Sequence, residues 1–442
     1  MIDRAAPSTS TQSPFRSPSF RWYWFGGFVS NVGTWLQNVS GSIYVLDRTH
    51  STFLVGVLNL ATFIPVFILS VPGGVLADRY DRRAIVVLTS LFSFAVGAAV
   101  TIASAVGTLD PWFLIAMAFC FGSSYAISKP AMTAMLPAIV PENNIAHATA
   151  INTLQFNIGQ IGGSALSALL LAFASYTWAF GVNAVSFAGP ILSMVMVGPA
   201  VARKQIRKTK ASGREGLRFV LQSPAILPIL TAVLLSNAAV ECLRTITPAV
   251  TTRTLHAPDS TTGIIIASYS AGASAGIVTF GLLSRRIPGH ALLVSAFLMQ
   301  AAGLLGSGLS RMTWLSVVCA FPIGLGLAFN IPILSGGLLR LSPDELRGRV
   351  MSFFNIAMLG LRPLFSLSAG GLGAVVSPSV VLIVFICFPL IAVPLCGMTY
   401  RALQQGGTSA LDETVAAPAS ASEPEVPATD SPASRRPATG TS

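Results

Sequence analysis

Long apolar runs and short polar separators alternate along most of the chain. Twelve runs have the length of about 20 mostly apolar residues that a helix needs to cross the hydrocarbon core of a bilayer. In the strands of a transmembrane barrel, apolar and polar residues alternate. Within these runs they do not. The pattern therefore predicts an all-α membrane protein with twelve transmembrane helices. These spans are expected near residues 22–46, 52–77, 84–107, 112–135, 148–172, 178–199, 225–247, 263–284, 290–309, 313–338, 350–375 and 378–400.

The composition supports a lipid environment. Of the 442 residues, 52% are apolar and only 10% are charged, whereas a soluble domain has roughly 25% charged residues. Such a chain has too little polar surface to cover a soluble globule of this volume. These proportions argue against a soluble enzyme and against disorder in the body of the chain.

The spans fall into two equal halves on either side of a basic loop. Four positions of the first half recur in the second half at a common offset of 202 residues, for example Pro130 with Pro332 and Leu136 with Leu338. Paired six-helix halves are typical of secondary transporters. We therefore predict a disordered amino terminus (1–20), a first bundle (21–200), a basic loop (201–224), a second bundle (225–402) and a disordered tail (403–442).

The distribution of Lys and Arg predicts the orientation in the membrane. Most of the 27 basic residues fall in the segments that are cytoplasmic if the amino terminus is inside the cell. Both termini are therefore expected in the cytoplasm of a cell-membrane protein. This bias accounts for most of the net charge of +11, and no motif for nucleic-acid binding accompanies it.

The loop between spans two and three carries the segment GGVLADRYDRR, residues 73–83. It resembles the loop motif GxLADRxGRR of the major facilitator superfamily, although Asp81 replaces the usual glycine. Together with the segments NVGTWLQNV (31–39), EGLRFVLQSPA (215–225) and SPDELRGRVMSFFN (342–355), it is similar to an enterobactin-exporter-like and macrolide-efflux-like branch of that superfamily. The matching residues include Gly74, Asp78, Arg79, Arg82 and Arg83.

This resemblance implies two pseudo-symmetric six-helix bundles that rock about a central site, which is opened to one side of the membrane at a time. In that scheme Asp78 accepts hydrogen bonds from the backbone amides at the start of span eleven and acts as a gate latch. The three arginines of the loop would pair with Asp81 or with lipid phosphates. The alternative interpretation is that the loop is only a topology signal.

Charged residues within the spans are few, and each needs a reason because a charge at the bilayer centre costs about 2.5 to 3.5 kcal/mol on insertion scales. Asn237, Glu241 and Arg244 share one face of span seven, and Arg362 lies near the middle of span eleven. In the functional interpretation, Glu241 is a proton-responsive carboxylate, and Arg362 is its counter-ion or an anchor for an anionic substrate group. In the structural interpretation, Glu241 and Arg244 form a pair that stiffens span seven.

Polar uncharged residues in the spans are candidates for the wall of a substrate cavity. Such amides also form hydrogen bonds between helices, and that structural role remains an alternative. We interpret Lys129 as a residue that reaches water at the inner end of span four. The candidate cavity residues are Asn31, Thr34, Trp35, Gln37, Asn38, Gln155, Asn237 and Asn330.

Together these features favour a proton-coupled exporter of amphipathic small molecules such as drugs, antibiotics or siderophores. It would work as a monomer without cofactor or metal and take its energy from the proton gradient. An uptake symporter for a nutrient or organic anion is the first alternative, and a non-transporting membrane receptor is a remote one. An intramembrane enzyme is disfavoured because the sequence has no HExxH or GxSxG motif and its four histidines lie in loops or at span ends.

Overall fold

The computed structural model describes residues 13–141, 144–197, 218, 220–223, 226–343 and 346–405. In this part of the chain all twelve predicted spans are present as helices, which confirms the all-α fold. Most ends agree with the sequence expectation to within a few residues. The first bundle contains span one (Pro18–Thr49), two (Thr52–Arg79), three (Arg82–Ala105), four (Pro111–Ile139), five (Ile145–Phe173) and six (Tyr176–Ser186 with Ala188–Val197).

The second bundle is built in the same way. Its helices are span seven (Ile226–Ala249 with a π-turn at Val250–Thr254), eight (Ser260–Leu283), nine (Gly289–Leu309), ten (Thr313–Leu341), eleven (Arg347–Asn355, a π-turn at Ile356–Gly360, then Arg362–Val375) and twelve (Pro378–Val384 with Cys387–Gln405). Most of the predicted basic loop and most of the predicted tail lie outside the described residues.

Eleven of these described helices are long and apolar enough to cross a membrane by length and composition. Span one has 32 residues and is long enough, but it carries an unusual number of Ser, Asn, Thr and Gln side chains. The bundle surfaces are apolar, with large side chains such as Leu88, Phe173 and Val375 exposed. This is the surface that a hydrocarbon environment requires.

The amino-terminal region corrects one prediction, because residues 13–20 are ordered rather than disordered. Ser17 caps span one by accepting a hydrogen bond from the Phe20 amide at 3.3 Å, and Pro18 takes the first helical position. The Ser17 hydroxyl also donates to the Ile139 carbonyl at 2.9 Å. Phe20 is fully buried, so span one starts four residues earlier than its apolar run suggested.

Short polar separators start spans two, three and four of the first bundle. Ser51, Asp81 and Asp110 each accept a hydrogen bond from a backbone amide in the first turn of spans two, three and four, respectively. These caps satisfy amides that would otherwise lack a partner at the membrane surface. The turn chemistry of the sequence therefore fixes where these helices begin.

Span eleven is interrupted near its middle. A π-turn at Ile356–Gly360 ends the first helical segment, and a new segment begins at Arg362 with Pro363 in its first turn. Proline lacks an amide hydrogen and is best placed at a helix start. The break therefore puts Arg362 at a helix start within the membrane rather than in mid-helix.

Glycines bring the two bundles into close contact along two pairs of spans. Gly56 of span two packs against Gly370 of span eleven, and Gly263 of span eight packs against Ala168 of span five. All four residues lie toward the end of the bundles that the charge pattern predicts to face outward, which we call the outer end. Residues without bulky side chains permit this close approach between helices.

Polar contacts reinforce the outer end. The Thr52 hydroxyl donates to the Gly370 carbonyl at 2.9 Å, and the Tyr176 hydroxyl donates to the Asp259 carboxylate at 3.1 Å. The Arg253 guanidinium donates to the His50 carbonyl. Each contact joins one bundle to the other, so the outer end is closed in this conformation.

We expect Gly263→Leu to separate the outer ends. A Cβ atom at this position would lie 2.5 Å from the Ser164 carbonyl oxygen and 2.9 Å from Ala168 Cβ. Spin labels at positions 108 and 311, in a background without the native cysteines, measure the distance between the two outer surfaces. The variant should shift this distance distribution to longer values.

Gly281→Leu is the matched control, because it lies on the same span and a Cβ atom there meets nothing within 4 Å. The control should leave the distances unchanged. An unchanged distribution in a folded Gly263→Leu protein, or in the milder Gly263→Ala, contradicts the role of this contact.

The outer contact should also depend on pH through Asp259. Burial raises the pKa of the Asp259 carboxyl, the hydrogen bond from Tyr176 lowers it by less, and the negative charge of Asp47 raises it further. In the separated state the carboxyl is hydrated, with an ordinary pKa of about 3.9. The closed state therefore binds the proton more tightly, and falling pH favours closure.

The same spin-label pair tests this linkage. Acidification through the raised pKa should increase the closed population, and closure should weaken again as the pH rises above it. In Asp259→Asn this part of the pH dependence should disappear. If Asp259→Asn keeps the full pH response, the pH dependence of closure belongs to another group.

Candidate transport site

A cavity is lined mainly by residues of the first bundle. On span one it reaches from Tyr23 to Gly41, a distance of about 27 Å at 1.5 Å per residue. Lys129 and Met132 line it toward the inner end, and Arg362 is its contribution from the second bundle. In the predicted orientation, a closed outer end and a cavity that extends toward the inner end are the arrangement of an inward-facing transporter.

Six of the eight predicted cavity residues line this cavity. They come from spans one and five, and they explain why span one is the most polar span: its polar stripe faces the cavity rather than lipid. The six residues are Asn31, Thr34, Trp35, Gln37, Asn38 and Gln155.

Several of these amides also join helices, so both interpretations of them apply. Asn31 donates to the Gln155 side-chain oxygen at 3.1 Å, and Gln155 donates to the Trp24 carbonyl at 2.7 Å. Asn183 of span six donates to the Gln37 side-chain oxygen at 2.5 Å. These bonds fix the cavity wall, which keeps Asn31, Gln37 and Gln155 in place at its surface.

Asn237 and Asn330 correct the prediction, since neither is among the lining residues of this cavity. Asn330 is buried in the second bundle and donates to the Ser236 hydroxyl at 3.1 Å, and Ser236 also bonds Gln300. Asn237 donates to the Val233 carbonyl of its own helix at 2.9 Å. The neighbouring helices of the second bundle cover both amides, so they stabilise that bundle.

A cluster of three charged residues lies next to the cavity, and we call Glu241, Arg244 and Arg362 the charge cluster. Glu241 is 1% exposed. Its Oε1 atom accepts from Arg362 Nε at 2.6 Å, from Arg362 Nη2, and from Arg244 Nη1 at 3.2 Å. The structure thus contains both pairs that the sequence suggested as alternatives.

Aromatic rings from both bundles cover the two guanidinium groups. Arg244 lies 4.8 Å from the ring centre of Trp35 and 5.1 Å from that of Tyr269, and Arg362 lies 4.6 Å from that of Phe63. Trp35 and Phe63 belong to the first bundle, whereas the three charges belong to the second. Cation–π contacts of this kind are worth more when the cation is desolvated, so they couple the bundles at this point.

Three hydrogen-bonded polar side chains extend the contact between the two bundles beside the charge cluster. Thr245 of span seven and Ser366 of span eleven share a hydrogen bond of 2.8 Å, and Asn59 of span two donates to Thr245 at 3.5 Å. This chain joins the three spans that surround Arg362. A change in the charge cluster therefore acts directly on the contact between the bundles.

The predicted gating loop is anchored within the first bundle. Arg82 is buried and donates to the Ala134 carbonyl at 2.9 Å, and Arg83 donates to the Met194 carbonyl at 2.6 and 3.0 Å. Asp81 caps span three by accepting from the Arg83 amide at 2.8 Å. Two of the three arginines thus bind carbonyls of spans four and six.

The latch residue itself has no described contact. Asp78 and Arg79 are exposed at the inner end of span two, and a Cβ atom on Gly74 would meet nothing within 4 Å. The predicted partner, the start of span eleven, adjoins residues 344 and 345, which lie outside the described residues. The latch therefore stays a prediction.

Sequence reasoning missed Phe63 and Tyr269 as partners of the arginines. Both residues stand in apolar runs, where an aromatic residue looks like ordinary core packing. The only available signal was Asn59, one helical turn before Phe63 on the same face of span two. Their role depends on which helices meet, and no local pattern encodes that.

Comparison with known proteins places the chain in a family. Residues 9–420 match the family model described as transmembrane secretion effector. The enterobactin exporter EntS of Citrobacter koseri is 28% identical over 374 residues, which cover 82% of this chain and 86% of that protein. The enterobactin exporter EntS of Escherichia coli O127:H6 is 29% identical with the same coverage.

Solved structures show the same fold. The crystal structure of the nucleoside transporter NupG has a TM-score of 0.69 at 14% identity and covers 86% of this chain and 99% of its own. A bacterial homolog to the human lysosomal transporter Spinster has a TM-score of 0.66 at 15% identity, with 89% and 98% covered. The match of the family model, together with this fold, shows that the chain belongs to the transmembrane secretion effector family of the major facilitator superfamily and is a multi-pass membrane transporter that exports small molecules, not an enzyme.

Proposed function

We propose that the protein is a proton-coupled exporter of amphipathic small molecules of the siderophore or macrolide kind and that it works by alternating access. Both termini lie in the cytoplasm of a cell-membrane protein that acts as a monomer and needs no cofactor. The enterobactin exporters among its relatives support the substrate class. The observation that carries the proposal is the charge cluster, which places a buried carboxylate between the substrate cavity and the contact of the two bundles.

The charge cluster is suited to binding and releasing a proton. An ionised Glu241 is stable in the membrane only while its arginine partners stay close, since an unpaired buried charge is costly. Protonation of Glu241 removes that attraction and leaves two cations that repel each other. A single proton therefore changes the forces on spans seven and eleven.

Trp35 and Phe63 link the proton to the substrate. Their rings line the cavity and also contact Arg244 and Arg362, respectively. A substrate that packs against these rings excludes water and holds the guanidinium groups on Glu241, so the occupied cavity favours the ionised carboxylate. When the substrate leaves, water enters and protonation becomes favourable. Substrate and proton then exclude each other, as exchange transport requires.

Everted membrane vesicles with an acidic interior test the proposal, with enterobactin and a macrolide antibiotic as probes. Gradient-driven accumulation in these vesicles means export from the cell. Accumulation only when the gradient is reversed would favour an uptake symporter. Absence of any flux would contradict transport of these classes.

We expect Glu241→Gln to abolish the coupling but not the passage of substrate. If one proton exchanges per substrate, a gradient of one pH unit sustains about tenfold accumulation, because one pKa unit corresponds to 1.36 kcal/mol. The variant should equilibrate substrate without accumulating it. The measurement is accumulation at several pH gradients compared with exchange at none.

Asn237→Ser is the matched control, since Asn237 lies one turn inward on the same face of span seven, bonds its own helix and lies apart from the cavity. It should keep the gradient response of the native protein. Normal accumulation by Glu241→Gln would make Glu241 structural and place the coupling elsewhere.

Asp78→Asn tests the latch at the inner end. If an ionised Asp78 holds the start of span eleven in the outward-facing state, its removal slows transport by lowering the population of that state. Transport rate and membrane insertion are measured together. Normal transport by a normally inserted variant removes the latch and leaves the loop as a topology signal.

A further inference from the structure

The charged side chains that line the cavity are all positive among the described residues. Lys129 and Arg362 are the charged side chains among the described residues that line it, and none of these lining residues is a carboxylate. Glu241 lies behind Arg362 at 1% exposure. A substrate in the cavity therefore meets positive charge, which attracts an acidic group and repels an organic cation.

The two cations are not equally available. Arg362 donates twice to Glu241, whereas Lys129 forms no ion pair within the described part of the chain. The Lys129 ammonium lies 5.9 Å from the centre of the Tyr125 ring. Among the described residues, no carboxylate therefore compensates the charge of Lys129 beside the cavity.

The direction of Lys129 differs from the expected one toward the inner surface. Long helical side chains lean toward the amino terminus of their helix, and span four begins at Pro111 at the outer end. Tyr125 lies one turn toward that end. The ammonium is therefore drawn deeper into the bundle, alongside the cavity, and away from the inner surface.

The wall near Lys129 contains further polar groups. The Met132 backbone, one turn inward, accepts from the Tyr23 hydroxyl at 3.2 Å, and both residues line the cavity. Asn152 of span five lines it as well. The aromatic rings of Trp35 and Phe63 stand beside the charge cluster. The cavity thus offers a cationic, polar part and a separate aromatic part.

We propose that Lys129 is the specificity-determining residue for an acidic group on the substrate and that, within the proposed substrate classes, the protein transports acidic aromatic molecules of the siderophore kind in preference to organic cations such as macrolides. This inference rests on the proposed function, because it assigns the substrate class of the same cavity. The acidic group binds the ammonium, and the aromatic body packs toward Trp35 and Phe63. Binding the anion away from Arg362 leaves the charge cluster intact for the proton.

The probe is a fluorescent naphthalene compound made in three forms, carrying a carboxylate, a carboxamide or a trimethylammonium group. Equilibrium binding to the purified protein and flux in everted vesicles are both measured. The native protein should bind the carboxylate about tenfold more tightly than the trimethylammonium form, which is the usual size of a charge-assisted contact. Equal affinity for all three forms would overturn the inference.

Variants at position 129 assign the selectivity. Lys129→Gln should weaken carboxylate binding about tenfold and leave the carboxamide unchanged. Lys129→Arg should restore the preference, and Lys129→Glu should reverse it in favour of the cation. Equal losses for all three forms in Lys129→Gln would show a structural role and overturn the assignment.

Arg286→Gln is the matched control, since Arg286 is an exposed basic residue at the inner end of span eight. It removes one positive charge at the inner end of the protein, outside the cavity, and should leave the selectivity intact. A loss of selectivity in this control would assign the effect to surface potential.

The two readouts separate this inference from the proposed function. Selective binding that depends on Lys129, without gradient-driven flux, supports the specificity residue and contradicts proton-coupled export. Gradient-driven flux without charge selectivity supports export and contradicts the role of Lys129.

Discussion

Much of the structure depends on the need to pair a buried carboxylate in a lipid-embedded protein. Glu241 lies where water cannot solvate it, so two guanidinium groups share one of its oxygens. One comes from its own helix, and the other is Arg362, which stands at the start of the second helical segment of span eleven. The cost of an unpaired ion in this environment explains why the neighbouring helices are positioned so specifically.

The same cluster brings the bundles into communication. Its charges belong to the second bundle, but the rings that cover two of them belong to the first. An aromatic ring can remain close to a cation while the helices slide, since the attraction is broad compared with a hydrogen bond. The cluster is thus sensitive to the contents of the cavity and to the relative position of the two halves.

The outer contact uses a different physical principle. Glycines at positions 56, 263 and 370 bring backbones together, and a few hydrogen bonds connect the ends. Such contacts are individually weak, which suits a surface that has to separate in each transport cycle. The amide network around Ser236 lies within one bundle and has no such requirement. Polar residues in the spans therefore divide into those that hold a bundle together and those that line or join the moving parts.

The sequence by itself determined the membrane environment, the twelve helices, their approximate ends and the division into two halves. Apolar length and turn chemistry are local properties, and lipid requires each span to satisfy its own backbone. Six of the eight residues predicted for the cavity also line it, because a polar stripe on an otherwise apolar helix needs a polar neighbour.

Only the tertiary structure decided which polar residues share a space. It moved Asn237 and Asn330 from the cavity to the second-bundle network and Lys129 from the inner surface to the cavity wall. It also joined Glu241 to Arg362 across 121 positions and placed Phe63 over that arginine. These contacts depend on the rotation and the partners of each helix, and packing between distant segments sets both.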